Sequence, residues 1–230
     1  MLQCLIEPFD KSVVLGRYPV EYFVCPNCGF IQTEEPYWLD EAYSDAIVDS
    51  DIGLIGRNIA LSKRGAAILS VCLPHCKTFL DYGGGYGMFV RLMRDVGFDF
   101  EWFDKYCDNL FAKQFVKEKE HYDLVTSLGD NILFSTVLVP NPPPKVSDWW
   151  YYAPHGGQHI SFYTESALKH LAKSFERHYV GYHDIHLFSK QPISLRKFSF
   201  VIRLASLINR FRRRESLLSA DYKMITGMDL

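Results

Sequence analysis

The chain has 230 residues, 48% of them hydrophobic, 15% aromatic and 23% charged, with a formal net charge of -2. That length suits one good core with a small appendage, and the near-neutral balance gives no global case for nucleic acid or membrane. No apolar run reaches the roughly eighteen residues of a spanning helix, and Met1–Glu7 lacks the basic start and long apolar stretch of a signal peptide, so a cytoplasmic protein is expected.

The first 36 residues read as a separate segment. Tyr22 to Val24 looks like a strand that enters Cys25-Pro26-Asn27-Cys28-Gly29, a spacing that suits two thiolates on one tetrahedral zinc ion. Cys4 is a third candidate ligand, and Glu7 stands where a partner for Cys4 would fall. A zinc site and a ribbon that folds without metal both stay open. The six cysteines, which include Cys72, Cys76 and Cys107, are expected as thiols or metal ligands rather than disulfides.

Residues 37–75 read as a helical linker segment. Its aromatics Tyr37 and Tyr43 are expected to cover the core edge, and a helix runs from about Arg57 to Cys72 with Leu61, Ile68, Leu69 and Cys72 on one face. Pro74 ends it. Thr78 to Tyr82 then reads as a buried strand carrying Asp81, followed by Gly83-Gly84-Gly85-Tyr86-Gly87. Glycine lets a backbone turn this sharply and approach a ligand closely. Phe89, Leu92, Met93 and Val96 recur at helical spacing directly afterwards. The run Phe98-Phe100-Trp102-Phe103 predicts a second strand, and Asp104 follows it where an α/β nucleotide site hydrogen-bonds ribose hydroxyls.

Cys107 to Phe115 reads as a helix, Tyr122 to Ser127 as a third strand and Asn131 to Val139 as a fourth. Pro140 to Lys145 is a stiff loop. Next come four consecutive aromatics, Trp149 to Tyr152, then His155, Gly156, Gly157, Gln158 and His159, a composition that suits either a shaped cleft or an aromatic core corner. Thr164 is placed to cap a helix with Leu168, Leu171, Ala172 and Phe175 on its buried stripe. Tyr179 to Tyr182 and Ile185 to Phe188 read as short edge strands. The tail, residues 191–230, interleaves arginines with Phe198, Val201, Leu204, Leu207, Ile208 and Phe211. That is a basic amphipathic helix, expected to dock on its own domain or on a second subunit, as in a homodimer, rather than on an anionic surface.

Asp81-x-Gly83-x-Gly85-x-Gly87 together with Asp104 resembles class I S-adenosylmethionine-dependent methyltransferases. Cys25 to Phe30 and Gln158 to Tyr163 are similar to members that carry a Cys-rich knuckle, and the layout resembles sugar C-methyltransferases. The resemblance implies an α/β, Rossmann-like doubly wound sheet at residues 76–190 with a zinc-ribbon-like appendage. It implies a methyl transfer from S-adenosylmethionine to a small-molecule, sugar-type acceptor. Asp81, Gly83, Gly85, Gly87 and Asp104 would hold the cofactor, and His159 or else His155 would act as base. Gln158, Tyr151 and Tyr152 would contact the acceptor, and residues 37–75 would lie over the cofactor as a lid lined by Tyr37 and Tyr43. One departure stands out: only residues 128–131 separate the third and fourth apolar runs, so the crossover helix expected there is missing, and so short a link is expected to close an antiparallel hairpin. The departure supports an alternative, a non-catalytic scaffold that keeps the fold and holds a partner.

Overall fold

The computed structural model describes residues 6–44, 51–125 and 130–230. The strands among them fall into two sheets. The larger sheet contains β4 (Phe79–Tyr82), β5 (Phe100–Phe103), β6 (Leu124–Val125), β7 (Asn131–Ser135), β9 (His178–Tyr182) and β10 (Ile185–Ser189), in the spatial order β5-β4-β6-β7-β10-β9. The first four run parallel, and β10 runs antiparallel to both β7 and β9.

Strand periodicity sorts this sheet's side chains into two layers. Leu133, Ile185, Leu187 and Val180 face a core shared with α2 (Leu54–Val71), α3 (Met88–Asp95), α5 (Leu195–Arg203) and α6 (Ala205–Phe211). The alternate residues Ile132, Phe134, Phe188 and Tyr179 face α4 (Glu165–Ser174), which supplies Leu168 and Ala172. Over β4–β6 that second face has no helix among the described residues. A small cluster of Leu80, Tyr122 and Val125 covers it, with Phe103 alongside.

Two sequence expectations are corrected here. Residues 107–115 are not helical. The Asn109 side chain takes both ends of Ala112, accepting from its N–H and donating to its carbonyl at 2.8 Å each, so a side chain outcompetes the helix ladder. The β6–β7 pair is parallel, with Leu124 beside Asn131 and Val125 beside Ile132, not a hairpin. A helical crossover is needed to return along a full strand. Here the pairing spans two residues, so the chain must regain only about one inter-strand spacing, ~4.8 Å, and little more than one residue's rise, ~3.3 Å. Five residues, 126–130, reach that easily and leave no room for a crossover helix.

The smaller sheet is antiparallel, in the order β1 (Glu7–Val14), β2 (Tyr18–Val24), β3 (Ile31–Thr33) and β8 (Ser161–Phe162). Its core joins Val14, Val20, Tyr22 and Ile31 to Trp38, Val146, Tyr152 and Phe162. The N-terminal strands therefore share a core with the segment that carries the paired histidines. The tail closes the molecule from the other side. Asp221 on α7 (Leu218–Thr226) accepts two hydrogen bonds from Arg94 of α3, at 2.9 and 2.8 Å, in a buried pair. Burial pushes the Asp221 carboxyl up, but Arg94 and Arg91 outweigh it and hold it below the usual carboxylate value.

Candidate functional site

Strand order places the first cavity. The chain leaves β4 for β5 on one side and returns to β6 on the other, so a crevice opens at the carboxyl end of β4. The loop 83–87 fills that position, and β5 holds it along its length. Gly83 and Gly84 donate to the Phe103 carbonyl at 2.8 and 3.1 Å. Gly85 donates to Asp104 Oδ2 at 2.9 Å, and Trp102 Nε1 donates to the Gly85 carbonyl at 2.8 Å.

Two glycines are sterically required. A Cβ on Gly84 would lie 2.8 Å from Asp81 Oδ2 and 2.7 Å from Trp102 Cδ1. Gly87 has φ +82°, and a Cβ there would collide with Asn109 Oδ1. Gly84 is absent from the acid-Gly alternation, so motif reading missed it, although it lets the loop fold over Asp81. The resulting cavity, about 280 Å³, is lined by Asp81, Gly83, Gly84, Gly85, Asn58 and Asp51, with Met88 and Phe89 at the start of α3. Gly87, at the N-cap, has no side chain with which to cap that helix start.

Asp104 sits at the end of β5 beside the loop. Its Oδ1 accepts from the Tyr106 N–H at 2.8 Å and its Oδ2 from Gly85. A carboxylate offers about four lone-pair sites, so capacity remains for hydroxyl donors. Tyr43 stacks on Tyr106 with centroids 4.6 Å apart, and burial raises the Tyr43 pKa, with Tyr106 and Asp104 adding to it. Tyr43 thus lies at this site. Tyr37 does not: it packs edge-on to Tyr18 and Trp38 and donates to the Pro19 carbonyl at 3.1 Å.

A second cavity, about 570 Å³, adjoins the first, and Asp51 lines both. It brings together four of the expected residues, Tyr151, His155, Gln158 and His159. Tyr152 turns the other way. It is fully buried, donates to the Pro144 carbonyl at 3.0 Å and packs edge-on to Tyr22, Trp149 and Phe162, so it is a core residue and not an acceptor contact.

His159 Nδ1 lies 2.7 Å from the Tyr151 carbonyl. A carbonyl only accepts, so Nδ1 carries the proton and the neutral ring keeps Nε2 as an acceptor. Gln158 Nε2 donates to the Ala42 carbonyl at 2.8 Å, and Trp38 Nε1 donates to the Gly157 carbonyl at 2.9 Å. These bonds fasten α1 (Leu39–Ala42) to the loop. Trp150, from the run of four aromatics, joins the expected residues in this wall, whereas sequence reasoning missed Asp51, Arg57, Ser135, Thr136 and Asp184. Arg57 donates to both Asp51 oxygens at 2.6 and 2.5 Å, and that pairing raises the Arg57 pKa.

The cysteine knuckle has the expected turn, with Gly29 N–H donating to the Cys25 carbonyl and Cys25 N–H to the Phe30 carbonyl, both at 2.8 Å. Zinc finds no support among the described residues. Cys25 is buried with Phe30 and Ala167, and among the described residues no group of three or more His, Cys, Asp or Glu side chains is placed to hold a metal. Cys4, the third expected ligand, lies outside the described residues. The knuckle instead packs on the start of α4, where Thr164 donates to the Cys28 carbonyl. Cys72 and Cys76 are buried thiols, and burial pushes Cys76 up to about 11.

Residues 58–129 match the family model described as a methyltransferase domain. The match is just under a third of the chain and spans most of α2, β4, the Gly83–Gly87 loop, α3, β5, Asp104 and β6. It supports the resemblance to class I S-adenosylmethionine-dependent methyltransferases, and the parallel-rich sheet with its flanking helices fits their Rossmann-like fold. No curated protein matches the chain. Among the described residues no helix is long and apolar enough to cross a membrane.

Proposed function

We propose that this methyltransferase domain transfers a methyl group from S-adenosylmethionine to a small polar acceptor of the sugar type. The carrying observation is the pair of adjoining cavities that share Asp51, one around the Gly83–Gly87 loop and the other around His159. The loop backbone, buried Asp81 and the spare lone pairs of Asp104 fit the amino-acid and ribose groups of such a cofactor. When bound, the sulfonium supplies an already activated methyl carbon.

The chain's own residues then have three tasks. The loop and Asp104 fix the position of the donor, since alignment of reacting atoms is a large part of rate enhancement. The acceptor cavity supplies Trp150 and Tyr151 as flat apolar walls and Asp51, Thr136 and Asp184 as partners for hydroxyls, a mixture that suits a sugar ring. His159 accepts a proton at Nε2, because the Tyr151 carbonyl already holds Nδ1–H. His155 is the second candidate base. Buried reduced thiols such as Cys72 and Cys76 suit a cytoplasmic location.

The five-residue link between β6 and β7 supports a second reading, a binding protein that keeps the fold without turnover. Calorimetric titration with S-adenosylmethionine and S-adenosylhomocysteine, followed by turnover assays on polyhydroxylated acceptors, separates the two. Micromolar binding with turnover supports the enzyme. Binding without turnover on any acceptor supports the scaffold. Absence of binding at millimolar ligand removes the cofactor assignment.

A further inference from the structure

We infer that the outward face of α5 and α6, together with the adjoining face of α2, docks on an anionic lipid bilayer. The inward side of these helices is already used. Phe198, Val201, Ile202 and Ala205 are buried in the main core. Asn209 Nδ2 donates to the Lys63 carbonyl and Arg212 to the Ser70 carbonyl, both at 2.9 Å. These contacts fix which side faces out.

The outward side is apolar where a solvent face should be polar. Phe200 is 60% exposed, Leu207 49% and Phe211 79%. They are spaced i, i+7 and i+11, so they form one stripe along the pair. Exposed Arg196, Lys197, Arg203, Arg210 and Arg213 flank the stripe. Between Lys190 and Arg214 there are eight Lys and Arg residues and no Asp or Glu, in a chain whose formal net charge is -2. Across a groove of about 250 Å³, α2 adds Lys63 and Arg64 opposite Arg203 and Ser206. Ile55 and Ile59 extend the exposed apolar surface on the α2 side, at 61% and 40%.

An apolar stripe in a basic rim is how an amphipathic helix lies in the plane of a membrane interface, with its rings at the acyl boundary and its arginines among the headgroups. The groove offers phosphate-sized space between cations and a hydroxyl. A second copy is a poorer occupant. A two-fold contact through this face would set the basic rim against itself, and like-charge juxtaposition opposes such an interface.

Sedimentation with phosphatidylcholine vesicles, with and without phosphatidylglycerol, tests this on the full chain. The protein should sediment with the anionic vesicles alone and be released by salt. Phe200→Glu/Leu207→Glu/Phe211→Glu should abolish sedimentation with an unchanged melting temperature, because these side chains are exposed. Arg203→Gln/Arg210→Gln should weaken partitioning roughly thirtyfold, the scale expected for two charges near an anionic surface. Failure of the native chain to sediment overturns the proposal, as does sedimentation that the triple variant retains. So does a dimer in light scattering that the triple variant dissociates, since the stripe would then be covered by a second copy.

Discussion

The two cavities are built in opposite ways. The wall of the first is mostly one continuous stretch of backbone, Asp81 to Phe89, hydrogen-bonded to the neighbouring strand β5. The wall of the second is side chains delivered from the approach to α2, the end of β7, the turn between β9 and β10, and the loop 150–159. The first should fail abruptly when its backbone is disturbed. The second should fail one function at a time.

The largest effect expected is that of Gly87→Ala. The position demands φ +82°, which costs a residue with a Cβ about 1–2 kcal/mol, and the added methyl also strikes Asn109 Oδ1. Calorimetry should show no S-adenosylmethionine binding, with a lowered melting temperature. Binding equal to that of the native chain would mean the loop is not the cofactor cradle.

His159→Gln should act differently. Loss of a general base typically lowers turnover by roughly a hundredfold or more, while calorimetric affinity for S-adenosylmethionine should stay unchanged, because His159 lines only the second cavity. Turnover within twofold of native would take the base role from His159 and pass it to His155. A matching fall in cofactor affinity would mean the two cavities act as one unit.

Asp104→Ala should have an intermediate effect, felt at the loop that lines the first cavity. The Gly85 N–H loses its acceptor at 2.9 Å, and the ribose hydroxyls lose a charged partner. Hydrogen bonds to charged groups are worth about 1.5–3 kcal/mol, so affinity should fall roughly tenfold to a hundredfold. Unchanged affinity would sink the ribose assignment.

The same contrast governs what could be read from the sequence. Asp81, the glycines and Asp104 were legible because their geometry is local: a strand, a turn and a helix in succession, then the next strand's end. Gly84 was not, because its constraint comes from the Asp81 and Trp102 side chains folding against it. In the second cavity, Tyr151, His155, Gln158 and His159 were legible as a cluster nine residues long. Thr136 and Asp184 carry no readable spacing, since the β7–β10 pairing brings them together, and the Asp51–Arg57 pair reaches them only through the packing of α2 on the sheet. Tyr152 misled because adjacent residues of a 3-10 turn, Trp150–Tyr152, point to different sides. The parallel β6–β7 pair was illegible for another reason. The usual crossover length assumes a strand long enough to need a helix for the return, and the described part of β6 pairs over two residues.

The smallest expected effect lies behind the second cavity and tests how rigid its wall is. His186 is 1% exposed on β10. Its Nε2 lies 3.1 Å from the Thr136 carbonyl and its Nδ1 lies 3.0 Å from the Tyr179 hydroxyl. The carbonyl fixes Nε2 as the donor, so Nδ1 accepts from Tyr179 in a neutral ring. Burial lowers the His186 pKa, and the Thr136 carbonyl, Asp184 and Glu165 only partly oppose it. The folded chain therefore holds this ring neutral where the unfolded chain has begun to protonate. Stability from this group is complete above the unfolded value of 6.5 and is lost as pH falls below it toward the folded pKa. Each unit of lowering is worth at most about 1.4 kcal/mol. The native melting temperature should decline from neutral pH toward pH ~5, and His186→Gln, although less stable throughout, should decline less steeply. Parallel curves would mean the ring protonates in place. Thr136 would then tolerate a charged neighbour, and the wall it shares with Tyr151, 3.0 Å away through the hydroxyls, would be softer than its hydrogen bonds imply.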